Sequence, residues 1–438
     1  MGATFKGGIH TYDGKELAKD KATALLLPKG EMVYPMSQHI GAPAKPIVAK
    51  GDYVLVGQKI GEANGAISAN VICSVSGTVK AVEPRLTVAG TMVESVIVEN
   101  DNEYKTIENF GNKRDYGKLS KGEIRNIIKE AGIVGLGGAA FPTHVKFTPK
   151  DDNKIEYVIV NAAECEPYLT SDYRMLLEEP EKVISGLKIE LGLFPNAKGI
   201  IAIEDNKPEA IAKVKALVVN ESKIEVRVLK TRYPQGGERV LIYALTGRKI
   251  SSKILPFEVG CIVSNVCTAI AVHNAVAETT PLINRIITVS GDAVKNPGNF
   301  NVRTGTNYNE LLEAAGGFKS KPAKVFSGGP MMGQAMFTVD VPVSKTTSGL
   351  VALLEDEVAE FDTTACIRCG RCVEVCPGRI IPQKMYEYAV HSDAENFVNV
   401  DGMECCECGC CSYVCPAGLR LTQSFKQMRK SVLDSRKK

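Results

Sequence analysis

The chain has 438 residues, more than one hydrophobic core usually serves and enough for three or four domains of ordinary size. Hydrophobic residues make up 44% and charged residues 24%, the balance of a soluble globular protein; 53 basic against 50 acidic side chains leave a net charge of +3, which gives no ground for a nucleic-acid partner. No apolar run approaches the roughly 20 residues of a spanning helix, and residues 1–6 lack the apolar stretch of a secretory signal, so any work at a membrane is expected to go through partners.

Residues 1–117 are rich in glycine, proline and valine. Residues 49–61 alternate short apolar stretches with glycine turns, and 71–79 repeat the style, as a compact β structure does. The whole stretch resembles the barrel-sandwich fold of lipoyl and biotinyl carrier domains, which present a modifiable lysine on the hairpin between their two halves. Ser74, Val75, Ser76 and Gly77 stand at that place without a lysine, so the expectation is a docking or bracing domain.

The pattern changes near Ser120, which reads as a helix N-cap; Glu123 completes a capping box, and Ile124, Ile127 and Ile128 make one helical face. Residues 157–160, 199–203 and 224–228 read as buried strands. Asn206 and Pro208 open a helix reaching about residue 219, and a later helix runs from Glu238 to Leu245 with Gly247 as its stop. This alternation predicts a largely parallel sheet covered on both faces over residues 118–275. Residues 276–355 return to β structure: 285–291 predict a strand, 295–300 a turn and 309–317 a short helix with a glycine stop. That order resembles the soluble-ligand-binding β-grasp module. An apolar stretch at 325–333 follows, and the acidic segment 355–362 leads into a cysteine-rich region, 356–438. The predicted fold is therefore multidomain α/β: a barrel-sandwich domain, an α/β domain, a β-grasp module and a C-terminal helical ferredoxin domain.

Of 14 cysteines, ten lie between Cys366 and Cys415, which points to metal-bound thiolates and not to a disulfide scaffold, since such scaffolds are small and cysteine-dense throughout. Cys366, Cys369, Cys372 and Cys376 have the spacing of the bacterial ferredoxin run and are followed by Pro377. Cys405, Cys408, Cys411 and Cys415 repeat it, followed by Pro416. Zinc sites use two close pairs of ligands, not runs of four with a trailing Cys-Pro. In such runs the fourth cysteine ligates the other cluster. The spacing thus predicts one [4Fe–4S] cluster on Cys366, Cys369, Cys372 and Cys415, and a second on Cys405, Cys408, Cys411 and Cys376. Cys406 and Cys410 fall outside the ligand spacing, and Cys73, Cys165, Cys261 and Cys267 read as structural.

Gly135, Gly137 and Gly138, with Ala139, Phe141, Thr143 and Lys146, form a glycine-rich loop after a helix. Its backbone N–H groups could approach a phosphate closely, with Lys146 adding charge. Asn161 and Glu164 to Glu166 sit at the C-terminal end of a predicted strand, where open α/β sheets bind ligands. Tyr233 to Glu238 opens one helix and Asn265 to Thr268 another. Together, in this order, these stretches resemble the FMN- and NADH-binding signatures of the flavoprotein subunit of respiratory complex I. The resemblance implies that the 135–146 loop with Asn265 and Thr268 holds FMN and that Asn161 and Glu164 lie along the isoalloxazine. It also implies that Glu166 and Glu238 face the nicotinamide nucleotide, with Tyr233 in the same site and Glu164 and Glu166 as the catalytic carboxylates. The sequence departs from that signature at Leu136, Ala163 and Gly237, where the family has arginine, aspartate and glutamate.

Over essentially its full length the chain is similar to the RnfC family, which belongs to the Rnf complex, an ion-pumping ferredoxin:NAD⁺ oxidoreductase. Residues 5–10, the carrier-like segment, the flavin domain, the β-grasp piece and the paired cysteine motifs occur in that family's order. The resemblance implies an NAD(H)-dependent flavo-iron–sulfur subunit, peripheral on the cytoplasmic face of the cell membrane, with other Rnf subunits as partners and ferredoxin reached through one of them. Two other readings stand beside it: a flavin- and cluster-containing cobalamin reductase, which should lack the N-terminal carrier-like domain in this position, and a non-catalytic cluster-bearing electron wire, which the departures at Ala163 and Gly237 would suit.

Overall fold

The N-terminal strands are β1 (Thr23–Leu26), β2 (Glu31–Pro35), β3 (Lys45–Pro46), β4 (Tyr53–Val54), β5 (Lys59–Glu62), β6 (Val71–Ile72), β7 (Gly77–Leu86) and β8 (Met92–Asn100). In the computed structural model, which describes residues 2–436, β2 to β8 build two small antiparallel sheets, ordered β2-β8-β7-β4 and β3-β5-β6. Alternate residues of β2 point inward, so Met32 and Tyr34 join Val54, Ile60, Val71, Val96 and Val98 in one core. Ser74, where a carrier would present its lysine, is buried, and its hydroxyl donates to the carbonyl of Thr304 at 2.6 Å. That contact braces this unit against the β-grasp region.

The next unit runs α1 (Lys121–Glu130), α2 (Thr143–Lys146), β9 (Tyr157–Ala162), α3 (Ser171–Glu178), α4 (Pro180–Gly192), β10 (Lys198–Glu204), α5 (Pro208–Leu217), β11 (Ile224–Leu229), α6 (Glu238–Thr246), β12 (Cys261–Asn265) and α7 (Val266–Ala277). Ser120 and Glu123 make the capping box of α1, and Gly247 ends α6 in the left-handed conformation. The four strands are parallel, in the order β11-β10-β9-β12. Such strands are buried on both faces, which accounts for their nearly continuous apolar runs. One face packs against α1, α4, α5 and α7, and the other against Leu241, Ile242 and Leu245 of α6. α4 and α7 touch closely enough that a Cβ on Gly186 would stand 2.0 Å from the carbonyl oxygen of Ala269.

β13 (Asn284–Ser290), β14 (Gly298–Arg303), α8 (Tyr308–Ala314), β15 (Lys324–Ser327), β16 (Gln334–Ala335) and β17 (Gly349–Leu353) follow. Their sheet is ordered β1-β14-β13-β17-β15-β16, so β1 crosses from the N-terminal region to pair in parallel with β14. Residues 298–300, expected in a turn, belong to β14. Asn299 is fully buried there: its carboxamide oxygen accepts from the hydroxyls of Thr170 and Thr288, and its Nδ2 donates to the Ala18 carbonyl. Partners distant in sequence thus satisfy a side chain whose local context reads as a turn.

The cysteine-rich region is helical: α9 (Glu357–Glu360), α10 (Arg371–Glu374), α11 (Pro382–Val390), α12 (Ala394–Asn399), α13 (Cys410–Tyr413) and α14 (Leu421–Ser435). Met385, Phe397, Phe425, Met428 and Val432 form its core beside the cysteines. Among the described residues no helix is long and apolar enough to cross a membrane.

Lys345 is the main tie between three of these units. Its fully buried amine donates to the carbonyl of Asn70 in the N-terminal unit and, at 2.7 Å, to that of Gly132 in the α/β unit. Burial lowers its pKa to about 7. The unfolded chain therefore holds a proton here that the folded chain lacks between about pH 7 and the ordinary lysine value, and stability rises with pH across that window. Replacing Lys345 with Met leaves two buried carbonyls unpaired; the expected outcome is a loss of about 1–3 kcal/mol in denaturant unfolding and a flatter pH dependence above neutrality.

Candidate functional site

In the parallel sheet β9 comes first in sequence, β10 and β11 add on one side, and β12 returns to the other. β9 and β12, first and last in chain order, lie side by side here, and the crevice at their carboxyl ends is the place where open α/β sheets take ligands. Asn161 and Asn265 are register partners at that edge. Asn265 is also the N-cap of α7: its Oδ1 accepts from the backbone N–H groups of Cys267 and Thr268 at 3.0 and 3.3 Å, so the positive end of a twelve-residue helix faces the crevice.

The glycine loop is pinned against this edge. The Gly135 N–H donates to the Phe141 carbonyl at 2.9 Å, and the Leu136 N–H donates to Thr268 Oγ1 at 2.9 Å. Between these ties Gly137, Gly138 and Ala139 form an exposed tip. Gly137 lies so close to Asn265 that an added Cβ would sit 3.0 Å from the asparagine Cβ, and Gly138 has φ of +150°. Lys146, in the short helix after the loop, donates to the Val263 carbonyl at 2.8 Å and approaches Glu238 at 3.6 Å. Thr143 is buried with an unpartnered Oγ1.

The opposite wall is the turn before α6. The Asn161 Nδ2 donates to the Gly236 carbonyl at 2.8 Å, and Gly236 packs against Cys165 and Ala163. Gln235 is fully buried, and neither end of its carboxamide has a partner among the described residues. A buried amide left open on both ends costs several kcal/mol of desolvation unless something supplies its bonds, on the order of 1–3 per group. The sequence places this residue inside the 233–238 turn but does not single it out, because its own signal is the missing partner. Loop tip, helix N-terminus, Lys146 and the open amide together fit a phosphorylated planar cofactor that brings its own hydrogen-bonding groups.

The two carboxylates expected to be catalytic are both anchored. Glu164 has φ of +42°, and its carboxylate accepts from the N–H groups of Asp172 and Tyr173 at 2.7 and 3.1 Å, holding the start of α3. Burial raises its pKa to about 7. Glu166 accepts from the N–H groups of Met331 and Met332 at 2.7 and 3.1 Å, and burial raises its pKa as well. Glu238, at the start of α6, is half exposed. The Tyr233 hydroxyl is committed elsewhere: it donates to the Cys408 carbonyl at 2.7 Å in the cysteine region.

The eight motif cysteines line two separate hollows. Cys366, Cys369, Cys372 and Cys415 surround one of about 70 Å³. Cys376, Cys405, Cys408 and Cys411 surround another of about 20 Å³, with Cys406 and Cys410 also on its wall. The fourth cysteine of each run therefore stands with the first three of the other. Among the described residues no three ligating groups converge tightly enough for a single ion. A four-iron cube holds its thiolates apart at separate corners, so two sets of four spaced thiols fit clusters and not single ions. The hollows differ in surroundings: Cys366 and Cys369 are exposed, whereas Cys376, Cys408 and Cys411 are buried. The buried hollow abuts the crevice unit, where Ile9, Tyr233, Cys408 and Cys410 form one apolar cluster and the Gly8 N–H donates to the Val375 carbonyl at 2.8 Å.

Comparison with known proteins gives four domain matches in the same order. Residues 3–103 match the RnfC barrel sandwich hybrid domain, 128–274 the Nuo51 FMN-binding domain, 286–335 the SLBB domain and 365–419 the 4Fe-4S dicluster domain. The chain is 43% identical over 438 residues to the C subunit of the Na⁺-translocating ferredoxin:NAD⁺ oxidoreductase complex of Acetobacterium woodii, covering 99% of this chain and 98% of that one. It is 42% identical to the C subunit of the proton-translocating ferredoxin:NAD⁺ oxidoreductase complex of Clostridium ljungdahlii, covering 87% of this chain and 83% of that one. Among solved structures, an NAD⁺-reducing [NiFe]-hydrogenase shares the fold over 73% of this chain and 64% of its own, with a TM-score of 0.52 and 20% identity.

Gly137→Ala is expected to weaken FMN retention about tenfold, about 1.4 kcal/mol, with iron content unchanged, as read from flavin absorbance after gel filtration. Cys376→Ala should abolish the EPR signal of the cluster at Cys405, Cys408 and Cys411 and spare the other; Cys415→Ala should do the reverse.

Proposed function

The chain belongs to the RnfC family of ion-translocating ferredoxin:NAD⁺ oxidoreductase complexes, and on that premise we propose how its residues divide the work. It is an electron-transfer oxidoreductase subunit that works with NAD(H), FMN and [4Fe–4S] clusters inside a complex with other subunits. When bound, FMN exchanges a hydride with the nicotinamide and single electrons with the clusters, a conversion that no side chain performs.

The protein supplies position and electrostatics. Gly137, Gly138 and Ala139 offer backbone N–H groups to the cofactor phosphate, and the N-terminus of α7 and Lys146 offset its charge. Gly135, Phe141, Thr143 and Thr268 fix the loop that carries those groups, and Asn161 and Asn265 line the floor of the crevice. Gln235, whose buried carboxamide has no partner among the described residues, would supply hydrogen bonds to the bound cofactor. Glu164 and Glu166, held by backbone N–H groups, position the α3 start and the 331–332 loop around the nicotinamide side, and half-exposed Glu238 meets the nucleotide from solvent. Tyr233 forms the wall between crevice and cysteine region, with its hydroxyl on Cys408.

Cys405, Cys408, Cys411 and Cys376 hold the cluster on the flavin side, and Cys366, Cys369, Cys372 and Cys415 hold the one that meets the partner subunit. The observation that carries this reading is the continuity of residues 233–236, which touch the crevice through Gly236 and the buried cysteine hollow through Tyr233. Both NAD(H) and ferredoxin are cytoplasmic reactants, so the subunit sits peripherally on the cytoplasmic face of the membrane.

Anaerobic titration of the loaded chain with NADH is expected to bleach the flavin absorbance; no bleaching would favour a cluster-bearing wire with no nucleotide chemistry. Tyr233→Phe should keep the FMN and iron content and slow electron passage between flavin and clusters several-fold.

A further inference from the structure

A cavity of about 280 Å³ lies behind the glycine loop at Leu136, between helices α3, α4 and α7 and strands β1, β13 and β14. Three of the residues that line it carry buried polar atoms with no partner among the described residues: Arg285 Nη1, Asn274 Oδ1 and Thr23 Oγ1. Each comes from a different element, β13, α7 and β1.

Arg285 is the informative one. Only 3% of its surface is exposed, and its other two arms are fixed: Nε donates to the Thr347 carbonyl and Nη2 to the Leu136 carbonyl, both at 2.9 Å. No carboxylate pairs with it among the described residues. Asp172 attracts the guanidinium through space, but its carboxylate accepts hydrogen bonds from Asn265 Nδ2 at 2.6 Å and Cys267 Sγ at 3.3 Å. Carboxylates at the cavity rim are likewise engaged, Glu178 by Arg174 at 2.6 Å and Glu179 by Lys182 at 3.7 Å. A buried guanidinium with one arm unbonded, facing Asp172 only through space, is unfavourable, because desolvation is not offset by a hydrogen-bonded ion pair. Water filling the cavity would bond the asparagine and threonine oxygens but bring no negative charge. The remaining walls are apolar, from Leu136, Met175, Ile270 and Leu282.

We infer that this cavity is a binding site for a small organic anion, whose carboxylate or phosphate group meets Arg285 and whose apolar body lies along the Leu136, Met175 and Ile270 wall. The volume falls just below the roughly 300 Å³ at which pockets for drug-sized ligands begin, so the ligand is small. The site lies behind the flavin loop, sharing Leu136 and Cys267 with it, and is a separate hollow from the crevice.

The test is calorimetric titration of the full loaded chain with benzoate, with benzyl alcohol as its uncharged counterpart, and with inorganic phosphate. Benzoate is expected to bind at least about tenfold more tightly than either of the others. Arg285→Gln should remove the preference for benzoate over the alcohol. Because Arg285 also holds two carbonyls, that variant can fail to fold, and Ala271→Leu serves beside it. Ala271 lines the cavity without touching Arg285's bonds, and the larger side chain should cut benzoate affinity about tenfold with flavin absorbance and cluster EPR unchanged. Equal binding of benzoate and benzyl alcohol, phosphate binding as tight as benzoate, no benzoate binding at millimolar concentration, or undiminished binding by Ala271→Leu would each overturn the proposal.

Discussion

The flavin site depends on the carboxyl ends of adjacent parallel strands β9 and β12, which lie side by side in the sheet although they are first and last in its chain order. The strands are paired up to Asn161 and Asn265, and beyond them side chains take over: Asn265 turns back to cap α7, and Asn161 reaches across to Gly236. Both asparagines are thereby rigid, and the glycine loop packs onto one of them with no room for a Cβ. The crevice is thus preformed by hydrogen bonds that exist before any ligand arrives, which lowers the ordering cost of binding.

A second constraint couples that crevice to the cysteine region. The first residues of the chain run along both: Ala3 bridges Leu229, Ile9 bridges Tyr233, and Gly8 reaches Val375. Gly7 approaches the Cys376 carbonyl so closely that a Cβ would stand 2.9 Å away. With the Tyr233–Cys408 bond and the Arg239–Glu404 pair at 3.2 Å, this makes a seam around the buried hollow, while the other hollow keeps two exposed cysteines. A seam on one side and an open face on the other suits a path that begins inside the subunit and ends at a partner.

Features governed by neighbours along the chain are legible in the amino-acid sequence. The Ser120–Glu123 capping box, the Gly247 stop and the eightfold cysteine spacing depend on local geometry alone. Features governed by distant partners are not. The stretch at 295–300 has the composition of a turn, yet Asn299 lies in a strand because Thr170, Thr288 and Ala18 satisfy its side chain. β1 pairs with β14 across more than 270 residues, a register that no local pattern announces. At the site, the residue types near the flavin loop can be read from the motif, but the backbone anchoring of Glu164 and Glu166 and the open amide of Gln235 arise only when the loops meet. Tyr233 shows the same limit: its place in the turn is readable, and the direction of its hydroxyl toward Cys408 is not.

The central claim is that the buried cysteine set holds the flavin-side cluster and the exposed set the partner-side cluster. Rapid-freeze EPR of the fully reduced, loaded chain after mixing with NAD⁺ tests it most directly, with each signal assigned from single-cysteine variants. The expected result is that the signal of the cluster at Cys376, Cys405, Cys408 and Cys411 decays first, followed by that of the cluster at Cys366, Cys369, Cys372 and Cys415. Decay in the reverse order would contradict it.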